Sequence, residues 1–532
     1  MEVNVIGLAL VLTLFWFIYR WLTKNHDYFR DKPIPSLAAV PFFGSTADIM
    51  LKRLSMHDYV KQVYDKFAGV KVFGLFDTNS RTFVITDLDL IKQISVKDFD
   101  YFTDRRPMFG MNDNDNPNVL FNKVLFSLKG QKWRDMRSTL SPAFTGSKMR
   151  AMFELIAQYS SGMIQTLRSK AEKEGFIDGE IKDLFSRIAT DIIASCAFGL
   201  QVDSIHDPGN DFFATGSSMI NFFRTSIILR VMCFAFFPRI MEKLGIDVIE
   251  RKHIHFFSKI VKEAMQNREA HGIVRPDMIH LLMMAKKGVL KAQHETTAEN
   301  EGFATVLESD IGKASHNKTL TDPEITAQCM LFFLAGFEGI ASGMTFIAYE
   351  LALSPEVQEK LYQEIVETNK QLKGQPLSYD VLQSMKYLDM VLSETLRMWP
   401  NPMIDRYCVK DYTLDAGDGL KFTIDQGTCV WFPVYGIHFD PKYYPNPTKF
   451  DPERFSEANR AQFNMAAYMP FGVGPRNCIG SRFALMEIKA IMYQLLLNFS
   501  IEPTEQTRIP LKLAPGLFPN IRQHLRLKLR QL

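Results

Sequence analysis

The stretch Phe-Gly-Val-Gly-Pro-Arg-Asn-Cys-Ile-Gly, residues 471–480, decides the interpretation of this chain. Cys478 stands just before an apolar-periodic run, residues 481–497, that predicts an amphipathic helix. Free backbone N–H groups and the dipole at the start of a helix stabilise a negative sulfur. Gly474 predicts a tight turn, and Gly480 has no Cβ to keep a bound group away from the backbone. A lone cysteine is most often a small buried hydrophobe, so the four residues around this one carry the argument.

Phe471, Gly474, Arg476, Cys478 and Gly480 match the pattern Phe-x-x-Gly-x-Arg-x-Cys-x-Gly. The chain therefore strongly resembles the cytochrome P-450 family, whose cysteine-ligand loop has this pattern. The resemblance implies a mainly α cytochrome P-450 fold with small β-sheets and haem b (iron protoporphyrin IX), with Cys478 as the axial ligand of the iron. It also implies that Phe471 covers the sulfur, that Arg476 faces a haem propionate and that the macrocycle approaches Gly480. A thiolate ligand pushes electron density onto the iron and favours cleavage of the O–O bond.

The N-terminus predicts a membrane anchor. Residues 3–19 are almost all apolar, and a helix over them would be about 26 Å long. Arg20 and Lys24 follow, while only Glu2 precedes, which places the rest of the chain in the cytosol. No small-x-small cleavage site follows the apolar run, as a signal peptide would require.

We therefore expect an anchor at 1–22, a basic and proline-rich hinge at 23–45 and the catalytic domain at 46–532. This arrangement resembles the endoplasmic-reticulum anchor and proline hinge of microsomal family members.

Composition limits the classes of partner. Hydrophobic residues make up 46% of the chain and the formal net charge is +3. No dense basic run appears, which argues against nucleic acid as a partner. The other five cysteines show neither a paired metal spacing nor a disulfide pattern, as expected of a reducing compartment.

Two patches predict strands in an otherwise helical chain. Residues 70–76 and 82–85 alternate around the turn-forming 77–80 and predict a hairpin. A second strand-rich patch covers 412–433, and most of the remainder has helical periodicity.

Three further arginines resemble the family's propionate contacts. Trp133 and Arg137 match a Trp-x-x-x-Arg pattern, and four residues apart on a helix they share one face. The resemblance adds Arg105 and, after two prolines, Arg406. The run Arg-Pro-Asp-Met-Ile-His-Leu-Leu-Met at 275–283 resembles the insect family nine of the clan that also holds mammalian family three.

Residues 321–354 predict a long helix on the oxygen side of the haem. Thr321 and Glu324 form a capping-box pattern, with proline in the first turn. A hydropathy scan would take part of this helix for a membrane span, but Glu338 and Glu350 make that costly. Gly336, Gly339 and Gly343 share one face, where close approach of a flat cofactor would offset their cost.

The centre of this helix, Ala-Gly-Phe-Glu-Gly at 335–339, departs from the family pattern. Gly339 stands where the family usually has a threonine, whose hydroxyl helps to deliver protons to oxygen. A water molecule, a substrate hydroxyl or Ser342 one turn further could supply the missing donor, with Glu338 gating protons.

The resemblance also assigns substrate contacts and a lid. Residues 212–237 are dense in Phe, Ile and Leu; an ordinary core helix is the alternative to a mobile lid that dips into the membrane. Residues 286–318 are polar and of mixed charge, and predict a surface loop. The predicted substrate-pocket residues are Phe121, Phe333, Phe337, Met403, Ile404, Leu517 and Phe518.

A buried network is predicted behind the cysteine loop. Glu394 and Arg397 match the family's Glu-x-x-Arg, and Arg454 lies in its downstream arginine motif. Glu394 and Arg397 are neighbours on one helical turn, and Arg454 completes the network.

The resemblance implies a membrane-anchored haem-thiolate monooxygenase for lipophilic small molecules such as xenobiotics or endogenous lipids. The sequence has no Gly-rich nucleotide or flavin motif in a strand–helix setting, so electrons must come from another protein. The implied donor is NADPH-cytochrome P-450 reductase, with cytochrome b5 as an additional candidate. It would dock on a basic proximal surface that includes Lys132, Arg134 and Arg482.

Two other functions stay open from the sequence. The first is a haem-thiolate isomerase or dehydratase that rearranges hydroperoxides without O2, since some such relatives also lack the threonine. The second is a non-catalytic haem protein that binds hydrophobic ligands.

Overall fold

The computed structural model describes residues 2–106, 120–220, 230, 233–234, 237–247, 249–289, 302–306, 311, 319–459, 463–516 and 521–530. Helices dominate these residues. They are α1 (Glu2–Thr23), α2 (Ala47–Met50), α3 (Met56–Lys66), α4 (Leu88–Lys92), α5 (Gly130–Leu140), α6 (Gly146–Ala171), α7 (Ile181–Ile193), α8 (Asp211–Ile220), α9 (Pro238–Lys243), α10 (Arg251–His271), α11 (Met278–Lys286), α12 (Asp322–Leu353), α13 (Pro355–Leu372), α14 (Tyr379–Ser384), α15 (Lys386–Met398), α16 (Val434–His438) and α17 (Ser481–Asn498).

The strands form three small sheets. They are β1 (Val72–Asp77), β2 (Ser80–Ile85), β3 (Phe176–Glu180), β4 (Ile404–Tyr407), β5 (Tyr412–Asp415), β6 (Lys421–Ile424), β7 (Cys429–Phe432), β8 (Phe499–Pro503) and β9 (His524–Leu529). The first sheet has the order β1-β2-β7-β4, the second β3-β9-β8, and β5 pairs with β6. Only the β2–β7 pair is parallel among these pairings. The predicted mainly α fold with small sheets is confirmed.

The predicted hairpin forms, with a tighter turn than expected. Strands β1 and β2 pair antiparallel from Val72 with Ile85 to Asp77 with Ser80. Residues 77 and 80, which the sequence placed in the loop, therefore belong to the strands. Thr78 takes up the turn with a positive φ of 57°.

Helix α12 is the centre of the main core. The Thr321 hydroxyl accepts from the Glu324 N–H and the Glu324 side chain accepts from the Thr321 N–H, so the predicted capping box is present. Pro355 follows at the other end and starts α13. Helices α7, α8, α10, α15 and α17 pack around α12.

Among the described residues, α12 is the one helix long and apolar enough to cross a membrane, but most of its apolar window is buried. It is therefore a core helix, in agreement with the prediction. The apolar part of α1, Gly7–Thr23, is shorter and exposes its large side chains, among them Leu10, Phe15 and Trp16.

Candidate active site

The cysteine loop is closed by its own backbone. The Cys478 N–H donates to the Phe471 carbonyl at 2.9 Å, and the Asn477 N–H donates to the Gly474 carbonyl at 3.0 Å. Gly474 has a φ of 71°, and a Cβ there would collide with the Ser95 carbonyl oxygen. The predicted tight turn at Gly474 is confirmed, and it packs the loop directly on the residues after α4.

Cys478 differs from the other cysteines. It is exposed, whereas Cys233 is half-buried and the remaining four are buried. Protein atoms near the thiol nevertheless desolvate it and raise its pKa; the Gly480 backbone N–H and the charges of Arg137 and Arg105 act in the opposite direction. Helix α17 starts three residues later, as the sequence predicts. The sulfur is thus accessible and faces cationic groups, a setting in which a bound metal ion would complete its deprotonation.

Arg476 is buried beside the cysteine loop. Its guanidinium donates from Nε to the Thr103 carbonyl at 2.7 Å and from Nη2 to the Leu128 carbonyl at 2.6 Å. It also lies 4.1 Å from the centre of the Trp133 ring. Desolvation, and then the charge of Arg105, lower the pKa of Arg476.

Arg406 and Arg105 both lie close enough to Arg476 to affect it electrostatically, and the three arginines form one group of cations. Arg105 Nη1 lies 2.9 Å from Asp405 Oδ1, which neutralises it. Arg406 is fully buried and donates only to backbone carbonyls, those of Asp405 and Val473, at 2.8 Å each. Desolvation and the charge of Arg105 lower the pKa of Arg406 to about 9.

Arg406 tests whether this site fits haem. Its buried Nε has no hydrogen-bond partner among the residues that the structure describes. A buried guanidinium with a free donor and a lowered pKa is stabilised by an anion, and a carboxylate is the best match to its planar fork. The propionates of haem b are such carboxylates, so the residues present fit this cofactor.

Trp133 and Arg137 are both buried on α5, and their spacing of four residues puts them on the same face of this helix, as the sequence predicts. The Arg137 guanidinium donates to the Asn477 carbonyl and to Asn477 Oδ1, at 2.9 Å each. It therefore holds the residue next to Cys478. Asn477 was missed by the sequence analysis because no motif marks a bond between residues 340 positions apart.

The three glycines of α12 have different surroundings, which corrects the expectation that all three face one flat cofactor. A Cβ at Gly336 would meet Ile193 of α7 at 2.9 Å, and a Cβ at Gly343 would meet Ile488 of α17 at 3.0 Å. Helix packing therefore explains these two. A Cβ at Gly339 would meet no described atom within 4 Å, so only this glycine faces open space.

Glu338 and Ser342 form one hydrogen-bonded group with a lysine that the sequence analysis missed. Lys182 Nζ of α7 donates to Glu338 Oε1 at 2.8 Å and to Ser342 Oγ at 2.6 Å. The Ser342 hydroxyl donates to Glu338 Oε1 at 3.0 Å. Burial lowers the pKa of Lys182, and the Glu338 carboxylate opposes this effect.

Known proteins match this chain over almost all of its length. The family profile described as Cytochrome P450 matches residues 34–529. The probable cytochrome P450 9f2 of Drosophila melanogaster is 40% identical over 505 residues, which is 94% of each chain. Cytochrome P450 9e2 of Blattella germanica is 40% identical over 95% of this chain and 93% of its own. Cytochrome P450 3A41 of Mus musculus is 37% identical over 95% of this chain and 92% of its own.

The chain belongs to the cytochrome P450 family.

Family membership confirms several of the predictions. The protein is a P450 monooxygenase that binds haem b through a cysteine thiolate. The predicted similarity to insect family nine and to mammalian family three is confirmed by the relatives. P450 enzymes in general act on lipophilic substrates and take electrons from a redox partner.

The predicted substrate residues of this P450 fall into separate groups. Phe333 has no exposed surface, and its ring packs against those of Phe212, Phe257 and Phe337 at centroid distances of 5.0–5.7 Å. Phe121 is half-buried and packs against the same core cluster.

The other predicted pocket residues lie elsewhere. Met403 packs with Tyr59 and Trp431 in a smaller cluster, and Ile404 belongs to the core beneath β4. Met403 and Ile404 thus belong to different packing clusters from Phe333, and their assignment to one substrate pocket stays a prediction. Leu517 and Phe518 lie outside the described residues, as does most of the predicted lid after α8.

The network behind the thiolate loop of this P450 is complete. Glu394 accepts from Arg397 Nε at 2.7 Å and Nη2 at 2.9 Å, and both residues are fully buried. Arg454 Nε reaches Glu394 Oε1 at 3.3 Å, and the Asp451 N–H donates to the same oxygen at 3.0 Å. Arg397 also donates to the His438 carbonyl, so the three residues tie α15 to the chain that leads to the cysteine loop.

Proposed function

We propose that Cys478 is the axial ligand of the haem iron, and that the enzyme inserts one atom of O2 into a lipophilic small molecule. The other atom leaves as water, with two electrons and two protons consumed. The substrates would be xenobiotics such as insecticides or plant toxins, or endogenous lipids. When bound, the haem supplies oxygen activation. The single observation that carries the proposal is the one exposed cysteine among six, held in a closed loop beside the buried Arg406 and Arg476.

The chain's own residues would hold the cofactor and the substrate. Arg105, Arg137, Arg406 and Arg476 would bind and orient the propionates, with Trp133 packed under Arg476. Phe471 would shield the sulfur, and Gly480 would let the macrocycle approach. Phe121, Phe333, Phe337, Met403 and Ile404 are the candidate substrate contacts within the described residues, and Leu517 and Phe518 stay predictions.

Lys182, Glu338 and Ser342 would handle protons. Their three polar groups are linked by hydrogen bonds of 2.6–3.0 Å, so a proton can move between hydroxyl and carboxylate without a large rearrangement. Because the Ser342 hydroxyl already bonds to Glu338, this group would gate protons, and a water molecule or a substrate hydroxyl next to Gly339 would be the final donor.

The electron donor would be NADPH-cytochrome P450 reductase, with cytochrome b5 as a second candidate. Lys132 is exposed on α5 and Arg134 follows it, half-buried and 2.6 Å from Asp100; Arg482 lies half-buried at the start of α17.

The location would be the endoplasmic-reticulum membrane. Residues 1–22 would be the anchor, 23–45 the hinge and 46–532 the catalytic domain on the cytosolic side. Trp21 of α1 stacks on Phe237 with ring centroids 6.4 Å apart, and Phe237, Ile240 and Leu244 are each more than half exposed. This apolar surface next to the anchor supports a membrane contact.

Replacing Cys478 tests the ligand assignment. Cys478→Ser is expected to abolish the Soret band that reduced, carbon-monoxide-treated thiolate haem proteins show, because a hydroxyl does not replace a thiolate on iron. The matched control is Cys233→Ser, at a half-buried cysteine outside the site, which should keep the band. A Cys478→Ser protein that retains the band would overturn the assignment. Turnover of a hydroperoxide without NADPH would favour the isomerase instead, and spectral shifts without any turnover would favour a binding protein.

Gly339→Thr tests the missing hydroxyl. No described atom lies within 4 Å of a Cβ at this position, so the described residues leave room for a threonine side chain. We expect the amount of oxidised product formed per NADPH consumed, the coupling, to rise, since the hydroxyl adds a proton donor. Gly339→Val, of the same shape without the hydroxyl, is the control. Equal coupling in wild type, Thr and Val variants would mean that the hydroxyl is not limiting.

A further inference from the structure

The segment that follows the anchor helix is packed on the catalytic domain. We call residues 24–37 the strap; they form the first part of the proposed hinge. The His26 N–H donates to the Thr23 carbonyl at 3.0 Å. The Tyr28 N–H donates to the Asn25 carbonyl at the same distance. The chain therefore passes from α1 into the strap through hydrogen-bonded turns.

Phe29 of the strap is buried against the first sheet. Only 3% of its surface is exposed, and its ring lies 5.1 Å from those of Phe76 and Phe83, measured between centroids. A Cβ on Gly74 of β1 would meet the Phe29 ring at 2.6 Å, so this strand carries a glycine where the ring lies against it. The strap is thus held by a large apolar side chain inside the core of the domain.

Hydrogen bonds hold the two ends of the strap. At its start, Asn25 Nδ2 donates to the Asn79 carbonyl at 3.0 Å, in the turn between β1 and β2. At its end, the Leu37 N–H donates to the Gly74 carbonyl and the Gly74 N–H donates to the Pro35 carbonyl, at 2.9 Å each. The strap therefore lies along the edge strand β1 and is fixed to it at more than one point.

Lys32 connects the strap to a second sheet. Its Nζ donates to the Thr423 carbonyl of β6 at 2.7 Å and lies 4.7 Å from the centre of the Tyr28 ring. The Arg81 guanidinium of β2 lies 4.5 Å from the centre of the same ring. Two sheets therefore hold the strap, and the cation of Lys32 is used for contacts within the protein.

The end of α1 contacts the domain at a second place. Trp21 stacks on Phe237 with an angle of 11° between the ring planes. Phe237, Ile240 and Leu244 are 52, 55 and 61% exposed, and we call these three residues the apolar surface. A helix that is held by the strap on one side and by Trp21 on the other loses one of these contacts when it pivots. The fold therefore sets the angle between α1 and the catalytic domain.

We propose that the strap fixes this angle, so that the catalytic domain rests on the phospholipid bilayer in one orientation with the apolar surface immersed in it. The inference rests on the proposed function, because it needs residues 1–22 to cross the membrane. Tryptophan at the end of a spanning helix lies at the membrane interface, so Phe237, stacked on Trp21, lies at the same depth. Exposed apolar side chains at that depth are stabilised by the lipid. A flexible connection would give the domain many angles, and the strap gives it one.

Insertion of Gly-Gly-Ser-Gly-Gly-Ser between Thr23 and Lys24 tests the proposal. The insertion leaves the strap on its sheets and separates it from α1. Linear dichroism of the haem band in oriented phosphatidylcholine bilayers measures how narrowly the domain is oriented. We expect the full-length protein to give a dichroic signal and the insertion variant to lose it about twofold or more, since a Gly/Ser linker allows many angles. The matched control is the same insertion between the exposed Gln375 and Pro376, which should keep the dichroism.

Phe29→Ala tests the buried contact inside the strap. It should weaken the dichroic signal, and Phe29→Leu should largely keep it. Gly74→Ala tests the same contact from the sheet, because the added Cβ displaces the Phe29 ring, and it should act in the same direction as Phe29→Ala. An unchanged thiolate Soret band in each variant shows that the haem site is intact. If Phe29→Ala does not fold, the insertion decides, since it removes no buried side chain.

Immersion of the apolar surface is measured at Ile240. The photo-crosslinker p-benzoylphenylalanine in place of Ile240 should cross-link to phospholipid in the otherwise wild-type chain. The yield should fall when the insertion after Thr23 is added, because the domain then spends less time in the immersed orientation. An equal yield with and without the insertion would contradict the proposal.

The outcomes separate this inference from the proposed function. If the wild-type protein stays in the bilayers but gives no more dichroism than the insertion variant, the strap does not fix the orientation, and the proposed anchor stands. Loss of dichroism in both insertion variants would show that insertions act on the fold and not on the anchor angle, which also overturns the inference. If alkaline carbonate removes the wild-type protein from the bilayers, residues 1–22 do not span them, and the proposed location itself fails.

Discussion

Two arginines of this P450, Arg397 and Arg406, are both fully buried, yet their surroundings differ. Each nitrogen of the Arg397 guanidinium has an acceptor, and Glu394 supplies two of the contacts as a bidentate carboxylate. Arg406 has two backbone carbonyls and a buried Nε without a partner among the described residues. The first is completed by protein groups, and we propose that the second would be completed by a propionate of the haem. Burial of a charge therefore marks either scaffold or binding site, and the set of acceptors distinguishes them.

The largest effect that this comparison predicts is that of Glu394→Gln on stability. The substitution leaves Arg397 buried without a counter-charge, so we expect a loss of about 3–5 kcal/mol in the free energy of unfolding. Urea unfolding followed by the thiolate Soret band measures it. The control is Glu453→Gln, in the same loop as Arg454, which removes a surface ion pair to Lys360 whose partners are about half exposed. That control should cost less than about 1 kcal/mol, and an equal loss in both variants would show that Glu394 is not special.

Glu350 is a buried acid like Glu394, but its hydrogen-bond donor is the neutral Trp399 and not an arginine. It accepts a hydrogen bond from Trp399 Nε1 at 2.8 Å, and desolvation raises its pKa from 4.5 to about 7. Between these two pH values the folded state binds a proton that the unfolded chain releases, so stability falls as pH rises. The expected contribution is about 3 kcal/mol between pH 4.5 and 7.

Glu350→Gln keeps the acceptor for Trp399 and removes the titration. Its melting temperature should therefore exceed that of wild type increasingly from pH 5 to pH 8. Comparing the two proteins cancels other groups that titrate in the same range, such as Asp191, whose pKa burial raises to about 6. A constant difference between variant and wild type across this range would contradict the assignment.

Arg406→Met gives the smallest expected change in stability and a selective change in cofactor binding. Replacing an incompletely bonded buried cation by an apolar side chain should change the unfolding free energy of the protein by no more than about 1 kcal/mol. Loss of one charge-assisted hydrogen bond to a propionate, worth about 1.5–3 kcal/mol, should speed haem release roughly ten- to hundredfold. Haem transfer to a scavenging protein measures this rate, with Arg53→Met at an exposed ion pair as control. Unchanged release from Arg406→Met would mean that this arginine does not hold the cofactor.

The residues that short motifs define were predictable from the sequence, because their partners are close along the chain or belong to a fixed pattern. The capping box of α12 and the Glu394–Arg397 pair are of this kind, and both are as predicted. Residues joined only by the fold were not predictable. Lys182 reaches Glu338 from 156 residues away, and Asp389 holds Phe303 across 86. The surroundings of the α12 glycines were missed for the same reason, since helical spacing shows which face they share but not which neighbour approaches it.

The packing of α12 has a mechanical consequence. Ile193 of α7 lies close to α12 at Gly336, and Ile488 of α17 lies close to it at Gly343, so two different neighbouring helices contact α12 at these glycines. These two contacts restrain α12 on either side of Gly339, and we expect bending of the helix to occur mainly in the two turns between them. Gly339 lies at the middle of that span, where a glycine offers the least stiffness. We therefore expect the position that lacks the threonine hydroxyl, Gly339, to be also the point at which α12 bends most readily.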